Sequence, residues 1–454
     1  MSKREHLLKI GVSGIRGVVG GFLTPGLACE FAQAFGTYVD KGRVVLGRDT
    51  RKSGEMLENA VTAGLLAAGC EVIQVGILPT PTIQMYVAAI GAAGGIALTA
   101  SHNPPEYNAL KLFNHAGLFF NHYERAELLD LYHQSDFYQA TNDEMRGVQV
   151  HLGRPMALHL ERVLKHIDVA AIRERRFRVA LDGVNGAGSE MSVHFLRDVL
   201  GCDLHAISVD PTQVFPREAE PRPDTLTELA ALVRRERCDI GFGQDPDGDR
   251  LAVCDETGHV IDNDDALALV ADAALEKVEG DIVVNLTTSS VIDAVAKRHG
   301  RRVFRTPVGE ANVIEGMQSV RTAIGGEGSS GGVIFPSVHL CRDSYTAMGF
   351  LLNRLANSPG TVSQRVADLP RFYRRDSKIR FEHGRLGPLM QALEAKYPEA
   401  ECNRADGLKL SFADGWIHVR ASNTEPLLRL ATEATTAERA QQLQSAVEAL
   451  LKSG

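Results

Sequence analysis

A hydroxyl and an imidazole stand side by side at Ser101-His102, between a short apolar run (Gly95-Ile-Ala-Leu98) and two prolines, Pro104 and Pro105. An apolar strand that stops at a proline-locked turn presents its last side chains in a fixed direction. A serine held there, with a titratable neighbour, is placed to carry a covalent group. The plainer alternative is that Ser101 and Asn103 only satisfy the backbone of the turn.

Further along, Asp245, Asp247 and Asp249 alternate around Gly248 and end in Arg250. Three carboxylates at that spacing can converge on a hard divalent cation, which prefers oxygen ligands. A calcium EF-hand loop is excluded, although Glu256 falls at its twelfth position: its sixth position requires glycine and holds Arg250. A solvated acidic turn is the remaining alternative. Magnesium suits the motif, since it is commonly held by a few carboxylates together with a phosphate oxygen. A phosphorylated Ser101 would supply that oxygen.

Two loops have the makings of a ligand cradle. Arg420-Ala-Ser422-Asn423-Thr424-Glu-Pro426 combines a guanidinium, hydroxyls, an amide and turn N–H groups, a nest for a phosphate dianion to which Arg429 adds a second guanidinium. Gly325-Gly-Glu327-Gly-Ser-Ser-Gly-Gly332 places one carboxylate among glycines, where vicinal sugar hydroxyls can approach the backbone. An ordinary Ser/Thr turn and a flexible loop are the plain readings of these two. Lys111 follows the serine turn on an expected strand, from which it could reach the same hydroxyl and shuttle protons. Arg16, in Gly14-Ile-Arg16-Gly17, matters by position. His151, His159 and His339 have no partner pattern and read as structural or exposed.

The elements that must position these loops repeat. Arg43–Leu46, a helix over about 53–68 and Glu71–Val75 form one strand-helix-strand unit; Arg178–Leu181, Ser189–Leu200 and Asp203–Val209 form a second; Asp281–Asn285, a helix through about Arg298 and Arg302–Arg305 form a third. Glycines 69, 201 and 300 close the three helices. Three spaced copies imply three related α/β domains rather than one large sheet. The C-terminal part differs: Gly407–Phe412 and Trp416–Arg420 read as a hairpin, followed by a helix over about 436–451. Residues 366–380, with Pro370 and several arginines, read as the linker into this last α+β domain.

A chain of 454 residues allows about three or four domains. Its net charge of -8 argues against a nucleic-acid or acidic-membrane surface as the main partner, so an anionic ligand must be met by local arginines. The seven cysteines are scattered with no C-x-x-C pair, which fits reduced thiols rather than a disulfide framework or zinc knuckle. The N-terminus turns polar at once, and the longest near-apolar run, Tyr86 to Ala100, is too short for a bilayer. The expectation is a soluble cytoplasmic protein.

Taken together and in this order, the loops resemble those of the α-D-phosphohexomutase superfamily, which includes phosphoglucomutase, phosphomannomutase and phosphoglucosamine mutase. The likeness runs from Ser13-Gly-Ile-Arg16-Gly17 to Arg429. It implies four domains around a central cleft: 1–150 with the serine loop, 151–255 with the metal loop, 256–368 with the sugar loop and 369–454 with the phosphate loop. It implies reversible phosphate transfer between C6 and C1 of a hexose phosphate, through a phosphoserine and a bisphosphorylated sugar that also serves as activator. Ser101, Asp245, Asp247 and Asp249 would hold one Mg²⁺. Arg16, Lys111 and Arg250 would neutralise charge, with either His102 or Lys111 as the base. Thr306, Gly309, Glu327 and Ser329, or Ser330 in its place, would hold the sugar, and Arg420, Ser422, Asn423, Thr424 and Arg429 the phosphate not reacting. The sugar loop lacks the family's frequent histidine and is similar to that of archaeal-type members, so glucosamine phosphate is the first substrate expected and mannose or glucose phosphate the second. A non-catalytic sugar-phosphate binder, or a magnesium phosphatase, would show the same motifs. A monomer or homodimer is expected, with no nucleic-acid or membrane partner.

Overall fold

Both faces of the Arg43–Arg48 strand are apolar, and the fold covers both. Val44 and Leu46 pack with Phe31, Phe35, Leu57 and Val61 from the helices Pro25–Tyr38 and Gly54–Ala67; Val45 packs with Ile83, Tyr86 and Val87 from the helix Thr80–Ala89. Helix-covered strands of this kind read as continuous hydrophobic runs, which is why the motif was visible in the sequence. The computed structural model describes residues 9–11, 14–380, 383–422 and 427–453.

The first sheet has seven strands, β1 (Lys9–Gly11), β2 (Gly14–Val18), β3 (Arg43–Arg48), β4 (Glu71–Ile77), β5 (Gly94–Leu98), β6 (Tyr107–Asn114) and β7 (Val148–Val150), in the order β1-β2-β6-β5-β3-β4-β7. β3 runs parallel to β4 and β5, whereas β5 and β6 are antiparallel, so the Ser101 turn lies between two neighbouring strands. The second sheet, β8 (Arg178–Asp182), β9 (Asp203–Ile207), β10 (Ile240–Gln244) and β11 (Leu251–Asp255), has the order β11-β10-β8-β9. Its one antiparallel pair, β10–β11, is joined by the aspartate loop. In the third group, β12 (Asp281–Asn285) is parallel to β13 (Val303–Thr306) and β14 (Thr322–Glu327); β15 (Gly332–Phe335) pairs antiparallel with β16 (His339–Arg342). The last sheet is wholly antiparallel: β17 (Tyr373–Arg380), β18 (Glu401–Asn403), β19 (Leu408–Phe412), β20 (Gly415–Ala421) and β21 (Leu427–Ala434), in the order β17-β21-β20-β19-β18. Alternate residues such as Leu408, Leu410, Ile417 and Val419 turn to the helices Leu386–Lys396 and Ala437–Ser453, which cover one face.

Two expectations change. Residues 366–380 are not a linker throughout, because Tyr373–Arg380 is the edge strand β17, paired along its length with β21. Its arginine-rich, alternating pattern is that of an edge strand with a wet face. The helix expected over Ser189–Leu200 starts as an α-helix, Ser189–Val193, and widens into a π-helix over His194–Val199. The three helix-closing glycines hold as read: Gly69, Gly201 and Gly300 have φ of +81°, +69° and +65°.

The chain forms two compact units, one holding the residues up to Ile261 together with Gly332–Ser363, the other Asp262–Gly331 together with the chain from Gln364. Among the described residues, no helix is long and apolar enough to cross a membrane.

Candidate active site

Ser101 has a φ of +48°, in the left-handed region that costs a serine roughly 1–2 kcal/mol. A buried network holds it there. The Ser101 N–H donates to Thr99 Oγ1 (3.0 Å), whose hydroxyl donates to Asp49 Oδ2 (2.7 Å). Asp49 in turn pairs with Arg51 Nε at 3.0 Å. The Arg51 guanidinium then donates to four carbonyls of the turn: Ser101 (2.6 Å), Asn103 (2.8 Å), Pro104 (2.6 Å) and Tyr107 (3.0 Å). Its five N–H donors in a rigid fork suit that task.

The held hydroxyl donates to Asp245 Oδ2 at 2.7 Å, and His102 Nδ1 lies 3.4 Å from it. Asp245, Asp247 and Asp249 are all buried, with one oxygen of each within 4.8 Å of the others. Gly248 makes the turn with φ +66°, and the loop is backed by the Ala187 N–H on Pro246 O at 2.7 Å. A Cβ on Gly186 would lie 2.6 Å from that carbonyl, so glycine is required there.

Packing three carboxylates in a dry pocket is unfavourable without cations. Lys111 on β6 donates to Asp247 Oδ2 at 2.5 Å and to Asp249 Oδ2 at 3.5 Å; Thr80 Oγ1 donates to Asp247 Oδ2 at 2.6 Å; Arg342 donates to Asp249 Oδ2 at 2.8 Å. Arg250 Nε is 3.7 Å from Asp249 Oδ1 and 4.0 Å from Asp245 Oδ2. Among the described residues, Asp247 Oδ1 and Asp249 Oδ1 are buried with no hydrogen-bond partner. Buried oxygens normally have partners. Two orphaned carboxylate oxygens beside a third carboxylate are the donor set of a hard divalent cation, so these residues fit one.

Charge follows the same geometry. Burial and the charges of Asp247 and Asp249 push Asp245 well above the usual carboxylate range. Burial would raise Asp247 too, but Lys111, Asp245 and Thr80 hold it below that range. Burial alone would lower Lys111; Asp247 and Asp249 outweigh it and hold the ammonium above its usual value. Burial, then Arg250, Arg16 and Arg342, push His102 down to about 2, so its ring is neutral. Arg16 reaches Asn103 Oδ1 at 2.6 Å.

Ser101, His102, Lys111, Arg16, Arg250 and the three aspartates are thus brought together. The expectation that Lys111 meets the serine hydroxyl is replaced by its pairing with Asp247. Sequence reasoning missed Asp49, Arg51, Thr80, Thr99, Arg342 and Glu220, which accepts from Arg250 Nη1 at 2.5 Å and lies 3.6 Å from His102 Nε2. The charged loop Gly47-Arg-Asp-Thr-Arg51, following a buried strand, was the available signal for the first two. The histidines read as structural or exposed all have partners: His151 with Tyr86, His159 with Thr82 and Asp343, His339 with Gly117 O.

In the second unit, Glu327 ends β14 and its Oε1 accepts from Asn285 Nδ2 and from the Gly309 N–H, each at 2.9 Å. Gly309 has φ +125°, and Thr306 closes β13 just before it. The Ser330 hydroxyl donates to Glu327 O at 3.1 Å, while Ser329 is exposed. Arg420 and Arg429 face each other across β20 and β21. Like charges directly opposite repel, an arrangement that an anion between them would relieve. Burial lowers Arg420, and Asp406 and Glu327 are near enough to oppose that shift. Ser422 follows β20 with its N–H on Leu427 O at 2.8 Å; Asn423 and Thr424 lie outside the described residues.

Comparison with known proteins agrees along the whole chain. Family models for phosphoglucomutase/phosphomannomutase match in order: α/β/α domain I over residues 7–139, domain II over 157–258, domain III over 262–373 and the C-terminal domain over 378–450. A relative from Thermococcus kodakarensis named "Phosphoglucomutase/phosphomannomutase" is 38% identical over 95% of this chain and 96% of its own. One from Methanopyrus kandleri named "Probable phosphoglucosamine mutase" is 35% identical over 95% of each chain. The crystal structure of a phosphoglucomutase/phosphomannomutase family protein from Burkholderia thailandensis superposes with a TM-score of 0.85 at 25% identity, covering 100% of this chain and 98% of that one. Four matched domains and relatives of this identity over nearly full length lead to one conclusion: the chain belongs to the phosphoglucomutase/phosphomannomutase family of the α-D-phosphohexomutase superfamily.

Proposed function

We propose that this protein is a soluble, cytoplasmic phosphohexomutase, an isomerase that moves phosphate reversibly between the C6 and C1 oxygens of a hexose phosphate, with glucosamine phosphate as its preferred substrate. The observation that carries this reading is the Ser101 hydroxyl, held in a strained turn 2.7 Å from a buried triad with two orphaned carboxylate oxygens. In the working enzyme Ser101 carries a phosphoryl group. A sugar hydroxyl attacks phosphorus, the bond to Ser101 Oγ breaks as the new O–P bond forms, and the hydroxyl proton passes to a base. The bisphosphorylated sugar turns over and returns its other phosphate to Ser101. It is also the activator that recharges an unphosphorylated chain.

His102 Nδ1, 3.4 Å from Ser101 Oγ, supports His102 as the base by position, although burial and the arginines around it depress its basicity; Lys111, bonded to Asp247, is the alternative. Lys111, Arg250 and Arg16 then spread positive charge around the transferring group, as phosphoryl transfer requires. Mg²⁺, held by Asp245, Asp247, Asp249 and the Ser101 phosphate, supplies further neutralisation when bound. Glu327 and Ser329, with Thr306 and Gly309, grip the ring hydroxyls. Arg420, Ser422, Asn423, Thr424 and Arg429 hold the distal phosphate. Four functional segments, 1–150, 151–255, 256–368 and 369–454, divide these tasks.

The test is a panel of glucosamine, mannose, glucose and N-acetylglucosamine 1-phosphates with Mg²⁺ and a trace of hexose bisphosphate. Conversion to 6-phosphates, fastest for glucosamine and without release of inorganic phosphate, is expected. No turnover of any sugar would refute the mutase, and steady phosphate release would make the protein a phosphatase. Preference for mannose or glucose, the sugars named for the Thermococcus relative, would correct the substrate alone.

A further inference from the structure

Among the described residues, every hydrogen bond donated to Asp247 and Asp249 falls on one oxygen of each, and Arg250 Nε stays 3.7 Å from Asp249 Oδ1, beyond hydrogen-bond reach. Lys111 and Thr80 take Asp247 Oδ2; Lys111 and Arg342 take Asp249 Oδ2; both Oδ1 atoms are left without a hydrogen bond. Outer partners that occupy one face of a ligating carboxylate fix which oxygen it presents to a cation. Arg342 is anchored from the strand that carries it. It ends β16, and its stem passes over Gly332, where a Cβ would lie 2.2 Å from Arg342 Cδ, so the glycine makes room for it. The next residue, Asp343, caps the helix Ser344–Asn357 and accepts from His159 Nε2 at 3.1 Å; His159 Nδ1 meets Thr82 Oγ1 at 2.8 Å. Ser344 Oγ donates to Gly248 O inside the aspartate loop at 2.7 Å. A buried chain of bonds therefore fixes the backbone that follows Arg342 against the aspartate loop, and the guanidinium reaches Asp249 from that anchored strand end.

We propose that Arg342 is a positioning residue of the metal site: it holds Asp249 by Oδ2 so that Oδ1 faces the cation. This inference rests on the reading of the triad as a divalent-cation site. It differs in sign from the simpler idea that Arg342 is only a counter-charge. A counter-charge repels a cation, so its removal would tighten metal binding. A positioning group orients a ligand, so its removal loosens binding.

The experiment titrates purified protein with Mn²⁺ alone, followed by electron paramagnetic resonance, in wild type, Arg342→Gln and Arg342→Lys. Both variants are expected to bind Mn²⁺ more weakly, Gln by about 10- to 100-fold and Lys by less, because lysine keeps the charge but not the fork. The Mg²⁺ concentration for half-maximal activity should rise by the same factor, with KM for the sugar phosphate unchanged at saturating Mg²⁺. Unchanged or tighter Mn²⁺ binding in Arg342→Gln overturns the proposal while leaving the metal site intact. A wild type that binds no Mn²⁺ overturns the metal reading itself. Should Arg342→Gln fail to fold, Arg342→Lys decides: binding equal to wild type overturns the proposal.

Discussion

Replacing Arg51 by lysine tests whether the Ser101 turn is imposed by its surroundings. The guanidinium makes five hydrogen bonds, one to Asp49 and four to the carbonyls of Ser101, Asn103, Pro104 and Tyr107. Lysine keeps the charge for Asp49 but offers its donors from a single nitrogen, which cannot span four carbonyls. At least two charge-assisted bonds are lost from a buried site, each contributing about 1.5–3 kcal/mol, so a loss of about 3 kcal/mol or more in stability is expected. Methionine would remove the charge as well. Burial already pushes Asp49 above its usual range against the pull of Arg51, so the carboxyl would take up a proton, capping the cost at about 3–5 kcal/mol.

The effect on chemistry follows from strain. The left-handed Ser101 conformation costs roughly 1–2 kcal/mol and persists only while the carbonyls around it are pinned. Released, the turn populates its productive form in about one molecule in ten, and kcat falls about tenfold with KM little changed. Urea unfolding and a coupled mutase assay read the two quantities. Arg43→Lys, at an arginine that pairs with Glu71 on the surface, is the control and should change neither by more than about 0.5 kcal/mol. A folded Arg51→Lys protein with wild-type stability and a kcat within twofold of wild type would refute the reasoning.

Glu327→Gln keeps an oxygen that can accept from Asn285 and the Gly309 N–H but turns the second carboxylate oxygen from an acceptor into an NH₂ donor, so, if that oxygen accepts from the sugar, KM for the sugar phosphate should rise about tenfold or more with Mn²⁺ binding unchanged, measured by steady-state kinetics beside the metal titration. Asp247→Asn removes a proposed metal ligand and the charged partner of Lys111, and should abolish both Mn²⁺ binding and turnover. Lys409 is buried against Trp416 and donates to Leu286 O at 2.6 Å; burial, with Arg305 nearby, pushes it down to about 6. Between about pH 6 and pH 10 the unfolded chain then binds the extra proton, so this group makes stability rise with pH by up to about 1.4 kcal/mol per unit. Lys409→Met should flatten that rise, read from urea midpoints at pH 7 and pH 9; an unchanged slope would show that the amine is charged in the folded protein.

The sequence made the repeated strand-helix-strand units legible because their strands are apolar on both faces and their helices stop at glycines with left-handed dihedrals. The edge strand β17 was hidden because its exposed arginines and the nearby Pro370 look like a linker, and its pairing with β21 is a long-range contact that no local pattern announces. The π-helical turn at His194–Val199 has no sequence signature of its own. For the site, the groups proposed to bear the chemistry stood out by residue type and spacing. The groups that orient them did not. Thr80, Arg51 and Arg342 lie far from Asp247, Ser101 and Asp249 in the chain, and an arginine, taken singly, is more often a surface residue. Which partner Lys111 chooses depends on the register of β6 against β5 and on the neighbouring sheet, and neither is written locally.

The most direct measurement follows the phosphoryl group itself. Protein loaded by radiolabelled hexose bisphosphate and freed of ligand is mixed with unlabelled glucosamine 6-phosphate in a single turnover. The label should reside on Ser101, be absent from Ser101→Ala, and chase into the sugar faster than the steady-state kcat. Label on any other residue, or a wild-type chain that turns over sugar phosphates while never acquiring label, would contradict the account.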